Sequence, residues 1–143
     1  MSAIWFKDYT IDYLEGLRNA NMGEHIGIQF TELGADYLKG RMPVDKRTTQ
    51  PFGILHGGAS CVLSETLGSV SGWMTIDPEK YRAVGLELNI NHIRAVTKGY
   101  VIGICTPLHT GRRTQVLQTW IIEETTGKRV RVSLLTPAII EQG

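Results

Sequence analysis

Residues 50–71 read QPFGILHGGASCVLSETLGSVS. Pro51 and the glycines that follow it predict a loop, and from His56 or Gly57 onward the pattern becomes helical. Ala59, Val62, Leu63, Thr66, Val70 and Trp73 recur at three- and four-residue steps, the spacing of one helix face. A second face carries Gly58, Cys61, Glu65, Gly68 and Gly72. All but Glu65 are small, so another backbone can come close there. Glycine costs roughly 1 kcal/mol relative to alanine inside a helix. Several of them in one helix point to a packing or site requirement. No other predicted helix in the chain is as apolar, so the remaining elements must be arranged to bury this one.

Glu65 is the only charged residue between Arg47 and Asp77. A carboxylate on such a helix is costly to bury unless it is paired or hydrogen-bonded. Its two readings are a solvent-facing side chain and a general base or nucleophile. Ser69 lies four residues on, on the same face, where it can hold a water or a substrate atom. The helix start offers a second chemical part. Its first amides lack internal partners and carry the positive end of the dipole. His56-Gly57-Gly58 leaves room for a carbonyl oxygen at the Gly57 amide, an oxyanion-type site.

Distance then restricts the mechanism. Gly57 and Glu65 are eight residues apart, roughly 12 Å along a helix axis. A reacting carbonyl must lie about 3 Å from both its donor and its nucleophile. One straight helix cannot satisfy both, whereas two antiparallel copies can. The assignment therefore predicts a symmetric homodimer with two shared sites.

Outside the central stretch, Thr10 predicts an N-cap, and Ile11, Leu14 and Leu17 a short amphipathic helix over residues 10–20, ended by Asn19 to Gly23. This helix should cover an edge or end of the sheet. Ile26–Thr31 and Tyr37–Met42 predict two hairpin-linked strands. Pro43–Thr49 predicts a loop, and Asp77-Pro78-Glu79-Lys80 a turn. Val84, Leu86, Leu88 and Ile90 alternate with polar or small residues, predicting a half-buried strand. Val101–Thr106, Val116–Ile122 and Val130–Leu135 predict three more, broken at Gly99, Gly111-Arg112-Arg113 and Thr125-Thr126-Gly127. Arg129 and Arg131 alternate with Val130 and Val132 and read as an exposed strand face. Short connections imply antiparallel pairing. The fold class is α+β, a curved antiparallel sheet around one helix.

A chain of 143 residues with net charge +1 suits one domain and gives no pointer to nucleic acid or a membrane surface. Cys61 and Cys105 make no disulfide framework, and a reduced cytoplasmic setting is the simplest reading. The first ten residues carry no signal-peptide pattern, and no apolar run approaches the roughly 20 residues of a membrane span. Scattered His and Cys give no metal-ligand spacing. Phosphate-loop, GxGxxG and G-x-S-x-G motifs are absent.

QPFGILHGGAS followed by SETLGS, with MPVDKRT, VGLELNINHIR and PLHTGRRTQV, resembles the hotdog-fold acyl-CoA thioesterases. The similar branch contains the 4-hydroxybenzoyl-CoA (Arthrobacter-type) and 1,4-dihydroxy-2-naphthoyl-CoA thioesterases, the latter of menaquinone biosynthesis. The resemblance spans about residues 26–139. It implies thioester hydrolysis with Glu65 as base or nucleophile, the Gly57 amide as oxyanion donor, Gln50 and His56 near the thioester, and Ser69 assisting. It places coenzyme A along Gly85, along His92, Ile93, Arg94 and Ala95, and along His109, Thr110, Gly111, Arg112, Arg113 and Thr114. Gly85 would let the pantetheine arm pass. It implies no metal or redox cofactor, since coenzyme A is part of the substrate. It also implies assembly beyond the dimer into a homotetramer. Aryl carrier proteins and medium-chain acyl-CoA are the alternative substrates. A hydratase or dehydratase and a non-catalytic acyl-CoA binding module are the rivals of other classes. Phe52, Leu55, Trp73 and Met74 are candidate apolar walls for the acyl group.

Overall fold

The long helix forms where the quoted stretch predicts it, and six strands are laid against it. A computed structural model describes residues 1–143. The elements are α1 Ile11–Gly16, α2 Met22–His25, β1 Gln29–Leu33, β2 Leu38–Pro43, α3 Gly57–Met74, β3 Tyr81–His92, β4 Tyr100–Thr110, β5 Gln115–Glu123 and β6 Arg129–Glu141. The strands make one antiparallel sheet in the order β1-β2-β4-β5-β6-β3. α3 packs against β2 through β6. This is the α+β arrangement expected.

Steric complementarity explains the closeness of helix and sheet. Gly40 on β2 and Gly103 on β4 are directly paired, and Leu67 of α3 fills the hole they leave. A Cβ at these positions would lie 2.8 and 2.4 Å from the Leu67 methyl carbons. In the other direction, Gly68 and Gly72 of α3 admit Leu135 and Gln115 from the sheet, at 2.6 and 2.4 Å from a would-be Cβ. Two interlocking sets of this kind fix both the height and the rotation of α3, because packed interiors tolerate neither overlap nor voids.

That rotation corrects the expected core face. The buried stripe is Ser60, Leu63, Ser64, Leu67, Gly68, Ser71 and Gly72. Ala59, Val62, Val70 and Trp73 are half-buried at its flanks. Small residues win the contact because they permit close approach, and the larger apolar ones close the sides. Trp73 instead joins Tyr9 and Tyr13, with ring centroids 5.2 and 6.4 Å away. Leu55 and Met74 belong to the core, and Phe52 is exposed, so none of the four candidate wall residues lines the cleft described below.

Several boundaries differ as well. Thr10 does cap α1, accepting from the Tyr13 amide at 3.1 Å. Glu15 of α1 accepts from the Phe30 amide on the edge strand β1, so α1 covers that edge. The residues read as a helix stop begin a second helix, α2, capped by Asn21, and β1 starts only at Gln29. β3 runs twelve residues along the other edge and is far more exposed than a half-buried strand, with Val84 at 41% and Leu86 at 65%. His109 and Thr110 belong to β4 after a bulge at Pro107/His109, and only Gly111–Arg113 turns.

Candidate active site

Three groups of candidate residues are distributed along α3. The first surrounds its start. His56 is the N-cap in extended conformation, and its Nδ1 accepts from the Gly58 amide at 2.7 Å. With Nδ1 accepting, the ring proton sits on Nε2 and is free to donate. The cap also explains Gly58, where a Cβ would meet the His56 ring at 2.9 Å. The Gly57 amide takes no partner among the turn, loop and cap hydrogen bonds of the chain. It stands at the positive end of an eighteen-residue helix. Gln50 is brought close by a tight turn in which Gly53 adopts φ +79° and donates to the Gln50 carbonyl at 2.9 Å. The Gln50 side-chain oxygen accepts from the Phe52 amide, which leaves its NH2 group as the outward donor.

His92 at the end of β3 completes this end. Its Nε2 lies 2.9 Å from where a Gly57 Cβ would stand. Partial burial, with the Arg131 guanidinium beside it, holds the His92 ring below the ordinary imidazole range. Ile93 and Arg94 follow directly, tied by their amides to the Val130 carbonyl at 2.8 and 3.3 Å. After Ala95, Val96 accepts from the Leu55 amide at 2.7 Å.

The second group lies at the middle of α3. Gly57, Cys61, Glu65 and Ser69 are spaced four apart and share one face. Glu65 and Ser69 open on a cleft of about 620 Å³ bounded by Leu17, Met22, Phe30, Val62, Val70 and Leu88 among others. Arg18 and Asn21 also border it, but Arg18 is paired with Glu15 at 2.6 Å. Asn21 is spent on Gly23 and Leu17. Glu65 is therefore the unpaired carboxylate of a mostly apolar cleft. Burial and the neighbouring Glu65 push the Cys61 thiol up, which keeps it a poor nucleophile. Gly85 sits at a bulge of β3, and Oε1 of Glu65 is 2.7 Å from where its Cβ would be. In this chain the space beside Gly85 is thus occupied by the carboxylate itself.

The third group is at the far end of α3. Gly111, Arg112 and Arg113 border a polar recess with Thr75, Ile76, Tyr81 and Ile139. The Gly111 amide donates to the Thr114 carbonyl at 2.9 Å, and the His109 ring packs on Gly111. α3 is about 27 Å long, so one chain does not bring His109–Thr114 to the Gly57 end.

Two features were missed from sequence. Arg131, read as part of an exposed face, is only 3% exposed. Its Nη1 donates to the Val130 carbonyl at 2.9 Å and to the Arg94 carbonyl. Arg129 does lie outside, with its guanidinium 4.1 Å from the Trp120 ring centroid. Ile121 and Ile122, adjacent on β5, pair with Arg131 and Arg129, so Val130 is an extra residue in β6; this bulge puts the two arginines on opposite faces, which strict alternation would not. The cleft walls from the α1–α2 connection, α2 and β1 were also missed, because they come from segments remote in sequence. No group of three or more His, Cys, Asp or Glu is placed to hold a metal ion, and no helix is long and apolar enough to cross a membrane.

Comparison with known proteins shows the family. Residues 52–129 match the family model described as Thioesterase superfamily. The 1,4-dihydroxy-2-naphthoyl-CoA hydrolase of Escherichia coli is 46% identical over 137 residues, covering 96% of this chain and 99% of that protein. The proofreading thioesterase EntH of Cronobacter sakazakii is also 46% identical, covering 96% and 98%. A Haemophilus influenzae thioesterase structure superposes with TM-score 0.92 at 40% identity, covering 96% and 95% of the two chains. A Pseudomonas aeruginosa thioesterase gives TM-score 0.95 at 36% identity, covering 98% and 100%. On these likenesses the chain belongs to the thioesterase superfamily as a hotdog-fold enzyme.

Proposed function

We propose that the protein hydrolyses hydroxyaryl-CoA thioesters, of which 1,4-dihydroxy-2-naphthoyl-CoA is the leading candidate, to free acid and coenzyme A. The observation that carries this reading is the Glu65 carboxylate in the wall of the apolar cleft. An aromatic acyl group fills the cleft, which places its carbonyl carbon at the carboxylate. The Gly57 amide and helix dipole of a second copy stabilise the oxygen as it becomes negative. The Gln50 NH2 group and the His56 Nε2–H are the remaining donors at that end.

Glu65 either attacks the carbonyl, expelling the thiolate and leaving an anhydride that water cleaves, or takes a proton from the attacking water. Both routes end in carboxylic acid and thiol. Ser69, one turn on, orients the water or the substrate. The shared site calls for a homodimer, and the exposed β3 edge, with unpaired backbone groups on its outer side and Leu86 projecting, supplies a surface for it. In that dimer the Arg112-Arg113 turn and the His92–Ala95 segment supply donors for the phosphates and pantetheine arm.

A thioester borne on an aryl carrier protein is the second reading. It is favoured by the equal 46% identity to a proofreading thioesterase. Both substrates carry the same pantetheine arm. Thiol release measured over a panel of aryl and alkyl CoA esters and aryl-loaded carrier tests the reading. Glu65→Gln should lose about three or more powers of ten in kcat at nearly unchanged stability. Near-normal turnover in that variant removes Glu65 from the chemistry.

A further inference from the structure

Arg131 has no carboxylate partner among the ion pairs of the chain, although it is 3% exposed. Two backbone carbonyls accept from its Nη1, and its Nε has no partner. A buried charge without an opposite charge beside it is costly. Its location gives the charge a use. Arg131 is directly opposite His92 in the β3–β6 register, so both side chains stand on the same face of the sheet, about 5 Å apart at Cβ. His92 in turn lies against Gly57. The guanidinium thus sits behind the ring that packs on the first residue of α3.

We propose that Arg131 is a positioning residue of the hydrolytic site. It sets the His92 ring against the start of α3 and adds fixed positive charge to the place where the thioester oxygen becomes negative. The proposal rests on the hydrolase reading. β6 carries Arg129, Arg131 and Glu141, α3 and its cap carry His56, Cys61 and Glu65, β3 itself carries Tyr81, Arg82 and Glu87, and Arg94 follows on the loop. Of these, Arg131 is the charge that acts on the ring. It favours the uncharged imidazole, which leaves one ring nitrogen as an acceptor and the other as a donor.

The test compares Arg131→Met, Arg131→Gln and Arg131→Lys in the full-length protein. Three quantities are read: kcat and KM for thiol release, the melting temperature, and the His92 ring titration by NMR of imidazole-labelled protein. Met and Gln should lower kcat by about tenfold to a hundredfold, below the roughly 10²–10³ of a direct oxyanion donor, with KM within about threefold. Both should stay folded but melt a few degrees lower, because the Val130 and Arg94 carbonyls lose a donor. Their His92 titration should move up towards 6.5. Lys, which keeps the charge, should recover most of kcat and return the titration to its wild-type position. Wild-type kcat with an unmoved titration in the Met variant overturns the proposal. So does a Lys variant as slow as Met, since the guanidinium would then act only as a tether for the Arg94 loop. If the wild type releases thiol from no ester, the hydrolase reading fails. The titration then decides alone: movement in Met retains the coupling of Arg131 to His92, and none removes it.

Discussion

Replacing Gly85 by Ala offers a way to move the carboxylate of Glu65 without altering it. Gly85 does not have a positive φ, so its backbone accepts alanine without strain. Reduced freedom in the unfolded chain then favours the variant by about 0.4–1 kcal/mol. The new methyl would stand 2.7 Å from Oε1 of Glu65, about 0.7 Å short of the 3.4 Å at which ordinary contact begins. Glu65 is flexible at its far end, so the carboxylate yields by roughly that distance at little cost. Displacements near 1 Å at a reacting group cost on the order of 10² in rate. Gly85→Ala should therefore retain its melting temperature within a few degrees and lose about tenfold to a hundredfold in kcat. Thiol release followed with a chromogenic disulfide, at saturating ester, measures this. A variant as stable and as fast as wild type would refute the placement of Glu65 over Gly85 as a catalytic arrangement. A loss carried wholly by KM would do the same.

His56 has two functions that substitution separates. Ala removes the cap on the Gly58 amide and should cost about 1 kcal/mol, or about 2–4 °C in melting temperature. Asn keeps an acceptor and should restore stability, but not turnover, because the Nε2–H donor is gone; equal turnover in Asn and wild type would count against that donor. The pH dependence follows from His92, whose proton the fold binds less readily than the unfolded chain does. As pH falls below the ordinary 6.5, the unfolded state takes up that proton first, so stability is lost on acidification through this window and held above it. His92→Gln should flatten that part of a melting-temperature profile; an unchanged slope would show that other groups set it.

How much of this was legible in the sequence depends on the range of the interactions involved. The start of α3, the eight-residue separation of Gly57 and Glu65, and the shared face of Glu65 and Ser69 are local and were readable directly. So were the strand breaks at Gly99 and at Gly127, both of which adopt φ above +60°. The rotation of α3 was not readable, because it is decided by Gly40 and Gly103 on two other strands receiving Leu67. Apolar periodicity pointed to Val62 and Val70, whereas the sheet selected the serine and glycine side. Arg131 was misread for a related reason. Alternation places Arg129 and Arg131 on one face, but the extra residue Val130 in β6 breaks it between them. The cleft beside Glu65 joins the α1–α2 connection, α2, β1, α3 and β3, a combination that no single stretch contains.

The most direct test concerns the sharing of Gly57 and Glu65 between two copies. Gly57→Pro removes the amide hydrogen at the first helical position, where proline is tolerated. His56 before it is already extended, at φ −65° and ψ 131°, as a residue preceding proline must be. Glu65→Gln removes the carboxylate. Each variant alone should be nearly inactive. Co-refolded in equal amounts, half of the dimers are mixed and each mixed dimer has one intact site of two, so thiol release should return to about one quarter of the wild-type specific activity. Recovery near that value is the result the shared site predicts. A mixture no more active than its two components would contradict it.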